Sequence, residues 1–156
     1  SPIQTKQTKD PFRWKTTVMH KGQAHDISIV PDYIFGLEYE DRPKGKNKAF
    51  FFVEVDRATM PVVRRDIMQT SFLRKMQSYG DTWNRKLAER RFGMNTFRVL
   101  TLTTSDDRIA TMIAAHQQEL EKRVPGGIFL FRPKHLELDE KVSWKNAAGK
   151  MVELLA

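Results

Sequence analysis

Polar side chains fill residues 1–11 without any period and end in Asp10-Pro11, the pattern of a disordered lead-in. Apolar order sets in at Phe12. The aromatic and β-branched content of "FRWKTTVMH" predicts a strand, and "KGQAHD" a turn. In "DISIVPDYIFGLEYE" the pattern alternates, with Tyr33, Phe35, Leu37 and Tyr39 on one face and Ile34, Gly36, Glu38 and Glu40 on the other. A polar turn, "DRPKGKNK", separates this strand from "AFFFVEVD", so the two form a hairpin.

Beyond Pro61 the period changes. Val63, Ile67, Phe72, Met76, Tyr79, Trp83 and Leu87 recur every three to five residues, which predicts an amphipathic helix that Gly80 bends. "FRVLTLTT" from Phe97 is a strand. In "SDDRIATMIAAHQQELEK" a capping serine and two acids precede a second apolar stripe, the opening of another helix. "GGIFLFRP" is a last strand, and His135 to Ala156 reads as a hairpin or linker with a short helix. Three strands, helix, strand, helix, strand predict an α/β (α+β) fold, a mixed central β-sheet flanked by helices, in one domain over residues 12–156.

Charge adds a direction to this picture. The 156 residues carry 27 Lys and Arg against 19 Asp and Glu, a net charge of +8 that favours anionic partners. Most of that excess lies between Arg57 and Arg98, where ten basic residues face three acidic ones. With no cysteine, disulfides and thiolate metal sites are excluded. No apolar run is long enough to span a bilayer, so a cytoplasmic protein with no membrane partner is expected. The Ser-Pro start without Met suggests a piece cut from a longer protein.

Candidate chemistry gathers where the apolar hairpin ends in charge. Pairing Asp32–Glu40 with Ala49–Asp56 across the polar turn sets Asp32 opposite Asp56 and Ile34 opposite Glu54, and puts Asp32, Glu54 and Asp56 on one face. Three carboxylates that close require a compensating cation or a shared proton. A divalent ion such as Mg²⁺ or Mn²⁺ is one such cation, and Arg57 and Lys75 are others. At about 100° per residue Lys75 falls within roughly 60° of Met68, Phe72 and Tyr79, inside the apolar stripe and directed at the sheet.

The phrases "VPD" at 30–32 and "FVEVD" at 52–56 resemble the core of PD-(D/E)XK nucleases, a restriction-endonuclease-like fold in which a hairpin supplies two metal-binding acids and a nearby lysine. More narrowly, "PDYIF", "FFVEVDRAT" and "LRKMQSY" resemble the plasmid replication-relaxation family over Ile29–Thr104, in order and in spacing. That resemblance implies a DNA-processing domain linked to plasmid replication, DNA relaxation and mobilisation, with DNA and plasmid replication or relaxase complex proteins as partners. It implies Asp32, Glu54 and Asp56 as metal ligands and these three with Lys75 as catalytic residues of a metal-dependent endonuclease. Two departures stand beside it. Residues 1–11 are too few for the winged-helix segment often described ahead of this region, and Asp56 occupies the position where the nuclease superfamily usually holds lysine, a role that Lys75 could take over.

The other basic residues, Arg57, Arg64, Arg65, Arg74, Arg85, Lys86, Arg90 and Arg91, are then expected to contact DNA phosphates. Without catalysis the same fold gives a second function, a DNA-binding or protein-docking module in a plasmid replication or transfer complex with its acids neutralised internally. A third is a regulatory domain that recruits an acidic protein. Tyr79 and Trp83 read as core. His25 is a ligand, a proton carrier or a plain turn residue, while His20, His116 and His135 lack ligand spacing. The pattern leaves oligomeric state open.

Overall fold

The computed structural model describes residues 12–64, 71–135 and 143–154; the lead-in at 1–11, Arg65, and the Ile67 and Met68 positions of the expected helix lie outside the described residues. Among the described residues twelve elements follow one another. A hairpin of β1 (Trp14–His20) and β2 (Gln23–Ile29) comes first, then β3 (Tyr33–Glu38) and β4 (Lys48–Val55). Helices α1 (Phe72–Asn84) and α2 (Leu87–Phe92) lead to β5 (Arg98–Thr103), and α3 (Asp106–Glu119) with a short 3₁₀ turn (Gly126–Ile128) leads to β6 (Phe129–Pro133). Strands β7 (Ser143–Asn146) and β8 (Met151–Glu153) close the chain.

Strands β3 to β8 form one mixed six-stranded sheet in sequence order, as expected for an α/β fold with helices packed on it. The β3–β4 and β6–β7–β8 pairings are antiparallel, whereas β4–β5 and β5–β6 are parallel. Both parallel crossovers step the same way across the sheet. Connections of one hand therefore lay α1 and α3 on the same face. There Phe72, Met76 and Tyr79 of α1 and Ile109, Met112 and Ala115 of α3 share a core with Phe52, Val99, Phe129 and Phe131. The other face carries Phe51, Leu100, Leu130 and Trp144, with Phe35 stacked on Phe51 at 4.9 Å. A central strand with apolar neighbours on both faces explains the run of three phenylalanines in β4.

The early strands differ from the expected pattern. Lys21 and Gly22 both have positive φ (51° and 76°), the geometry of a tight two-residue hairpin turn, so β2 starts at Gln23 and the expected six-residue turn is mostly strand. This hairpin is a separate two-stranded sheet. It docks on α1, where Trp14 Nε1 donates to Thr82 Oγ1 (2.8 Å) and the Thr17 N–H donates to Asp81 Oδ2 (2.7 Å).

The expected single helix is two helices. Ser71 caps α1 by accepting from the Arg74 N–H at 3.1 Å. The helix continues through Gly80 without interruption and breaks at Lys86, whose φ of 55° is left-handed. Gly80 is glycine for packing: a Cβ there would stand 2.4 Å from Cγ2 of Val124. At the far end β7 and β8 form the hairpin alternative of the expectation, but Met151–Glu153 is strand and no short helix follows among the described residues; residues 136–142 lie outside them.

Candidate functional site

The carboxyl ends of β4 and β5 meet the start of β3 at one edge of the sheet, the edge where parallel strands of open α/β sheets commonly present side chains to a site. The observed register pairs Ile34 with Phe52 and not with Glu54, two residues from the expected alignment. A shift of two keeps every side chain on its face, so the expectation that Asp32 and Glu54 approach one another survives. Asp32 is exposed and ties the strand end down: its N–H donates to the Val53 carbonyl (3.0 Å), and its Oδ2 accepts from the Val55 N–H (2.8 Å).

Glu54 is 2% exposed and points under α1. Its Oε1 accepts from the Tyr79 hydroxyl at 2.7 Å and its Oε2 from Lys75 Nζ at 3.1 Å. Lys75 and Tyr79 are four residues apart on one helical face, which lets a single strand residue engage both. Lys75 thus turns towards the sheet, with its side chain 28% exposed. Burial raises the Glu54 pKa; the Lys75 charge and the hydrogen bonds oppose this, and the nearby Asp32 charge adds to it. Burial, then the Glu54 charge, holds the Tyr79 phenol well above its ordinary range.

Asp56, 4% exposed, has a separate set of partners. Its Oδ2 accepts from Thr103 Oγ1 (2.6 Å) and Arg108 Nε (3.0 Å), and its Oδ1 from Arg108 Nη2 (3.2 Å). Arg108 Nη2 also donates to the Met60 carbonyl at 2.7 Å, which binds the Arg57–Met60 loop to the first turn of α3. Burial works to raise the Asp56 pKa. The hydrogen bonds from Arg108 and Thr103, the Arg108 charge and the Ala58 N–H outweigh it, so the carboxyl ionises below its ordinary value. Ala58 has a left-handed φ of 57°, a conformation the bound loop holds in a non-glycine residue.

The acids accordingly divide into two groups, exposed Asp32 beside Glu54, which lies under α1, and Asp56 bound to Arg108 of α3. Among the described residues no group of three His, Asp or Glu is placed to hold a metal ion. Thr103 and Arg108 complete the second group and have no counterpart in the sequence reading. Helical position offered one signal: Arg108 stands three residues after the capping Ser105, whose Oγ accepts from the Arg108 N–H at 3.1 Å. Tyr79, read as core, is buried and also bonds an acid. His25 lies on β2 with its ring 6.4 Å from that of His20.

The expected phosphate-contacting residues do not share one helical face. Arg57 and Arg64 lie on the segment leading from β4 towards α1 and Arg74 in the first turn of α1, with Arg57 exposed and Arg64 and Arg74 half-buried; Arg65 is outside the described residues. Burial lowers the Arg74 pKa. Past the end of α1, Arg85 bridges to Asp81, Arg90 Nη2 donates to the Arg85 carbonyl (2.8 Å) and Arg91 Nη2 to the Arg13 carbonyl (3.0 Å). Lys86 is exposed at the helix break.

Sheet, crossover helices and paired acids define a mixed α/β domain whose strand ends carry buried carboxylate–cation pairs. A family model for replication-relaxation proteins matches residues 3–97, and the chain belongs to that family. The match takes in Asp32, Glu54, Asp56, Lys75 and Tyr79 and stops short of Thr103 and Arg108. Comparisons with curated proteins and with solved structures returned no match. Among the described residues no helix is long and apolar enough to cross a membrane.

Proposed function

We propose that this chain is a nuclease-like, non-cleaving DNA-binding module that serves a plasmid replication or transfer complex, with its acids neutralised from within. One observation carries this reading: each buried acid has its own cation, Lys75 at 3.1 Å from Glu54 and Arg108 at 3.0 Å from Asp56. Family membership supports the link to DNA, and the net charge of +8 supports attraction to a phosphate backbone. Magnesium and manganese require carboxylate oxygens open towards one point. Lys75 on Glu54 and Arg108 on Asp56 already supply the positive charge that such an ion would bring, which supports the reading without a metal.

A second reading, metal-dependent phosphodiester cleavage on a PD-(D/E)XK-like core, draws on Asp32 and Glu54 lying together beside Lys75. Supercoiled plasmid incubated with the protein and millimolar Mn²⁺ separates the two. The non-cleaving module leaves the plasmid intact, retains DNA in a salt-dependent way, and shows no metal-dependent rise in Tm. Nicking that disappears in Glu54→Gln would establish cleavage instead, and a Tm rise that disappears in Asp32→Ala would establish the metal site that cleavage needs. Indifference to DNA at low salt would defeat both and favour a protein-recruiting domain.

A further inference from the structure

The acid pairs sit at one end of the sheet, while a large basic cleft opens at the other. It has a volume of about 1320 Å³ and is bounded by the β3–β4 turn, the starts of β4 and β5, and the chain after α2. Five cations and two carboxylates line it, the cations being Arg42, Lys44, Lys46, Lys48 and Arg98. Lys44, Lys46 and Lys48 are exposed. Of the two acids, Glu38 accepts from Asn47 Nδ2 at 3.2 Å. Gly45, with a φ of 94°, lets the turn between the lysines reverse tightly, and the Lys46 N–H closes it onto the Pro43 carbonyl at 3.0 Å.

Aromatic surface lies within this ring of charge. Phe50 and Trp83 are half-buried, and both line the cleft. Trp83 is braced edge-on against Phe97 at a centroid distance of 5.3 Å. The other two tryptophans, Trp14 and Trp144, are 6% and 5% exposed. A positively charged groove with accessible aromatic faces is the arrangement that holds single-stranded nucleic acid, because cations follow the phosphates and every base has a face to stack. In a duplex the bases already stack on one another, and the aromatic surface would gain nothing.

We infer that this cleft is a binding site for single-stranded nucleic acid, with Lys44, Lys46 and Lys48 on the phosphates and Trp83 against a base. The inference rests on the DNA-binding reading above and moves the grip away from the acids. Lys48 and Glu54 are six residues apart along β4, about 20 Å at the rise of an extended strand. The phosphate-gripping lysines and the buried acids are thus separate sites on the same sheet.

Fluorescence anisotropy of a labelled poly-dT oligonucleotide, read against salt, tests the site together with tryptophan emission. Single-strand binding loses about 0.7 units of salt slope per phosphate contact, so Lys44→Gln/Lys46→Gln/Lys48→Gln should lower the slope by about 2. Its melting curve should match that of the parent protein, since all three lysines are exposed. The oligonucleotide should quench tryptophan emission in the parent protein and not in Trp83→Phe, and a duplex of the same length should compete poorly. An unchanged slope in the triple variant, quenching that persists in Trp83→Phe, or equal competition by duplex would each overturn the cleft assignment while DNA binding itself stands. Failure of the parent protein to bind either form would remove the proposed function as well.

Discussion

Removing Arg108 tests whether the Asp56 pair is a structural clamp. The carboxylate side chain is 2% exposed and the guanidinium 15%, so solvent does little to screen them. Arg108→Met keeps the length of the stem and deletes three donated hydrogen bonds, two to Asp56 and one to the Met60 carbonyl. Losing one partner of a buried pair costs about 3–5 kcal/mol, because the remaining charge is left without compensation. At 2–4 °C of Tm per kcal/mol for a domain of this size, the expected fall is on the order of 10 °C. Thr103 and the Ala58 N–H still reach Asp56, which favours the lower half of that range. Urea unfolding at several pH values gives the signature. In the parent protein Asp56 ionises below 3.8, so its contribution is complete above that value and is lost as pH falls through the lowered folded pKa. Without Arg108 the carboxyl loses its largest lowering partner and its folded pKa rises, so the stability gap to the parent protein should narrow as pH falls from 7 towards 3.8. A loss under about 1 kcal/mol, as for an exposed ion pair, or a gap indifferent to pH, would refute the clamp.

Glu54 should give the opposite pH dependence: with its folded pKa raised above 4.5, the native state holds the proton longer than the unfolded chain, and this group's contribution falls as pH rises from 4.5 through the folded value. Glu54→Gln should flatten that slope in urea titrations, and an unaltered slope would show that the carboxyl does not titrate as argued. Gly80→Ala should destabilise by about 1–3 kcal/mol despite alanine's better helix propensity, because its Cβ meets Val124 at 2.4 Å. Val124→Ala added to it should recover part of that loss in thermal melts; a stabilising Gly80→Ala would mean that Val124 yields freely.

Much of the scaffold was legible because it depends on local pattern. Period-two alternation marked β3, the aromatic and β-branched run after the polar turn marked β4 and their hairpin, and a capping serine marked the start of α3. The facing of Lys75 towards Glu54 followed from helical geometry alone, since residues three to four apart share a stripe. The register did not follow. Shifting β3 by two residues leaves the same residues on the same face, and the one-dimensional pattern therefore cannot tell the two alignments apart. The helix break at Lys86 was missed for a related reason: the apolar spacing continues through Leu87, and one left-handed residue leaves no trace in periodicity.

The sequence by itself determined which side chains face the core, which residue types end the central hairpin in charge, and the basic character of the surface. Only the tertiary structure decided how that charge is compensated. Arg108 is 52 residues from Asp56 and Thr103 is 47, and these partners meet because β5 lies beside β4 and α3 follows directly on β5. The cleft is of the same kind, since its lysines, Arg98 and Trp83 come from separate segments that converge only when the sheet forms. Periodicity records how each residue relates to its near neighbours. Partnership across the chain depends on topology, which fixes which strand ends and helix starts share an edge.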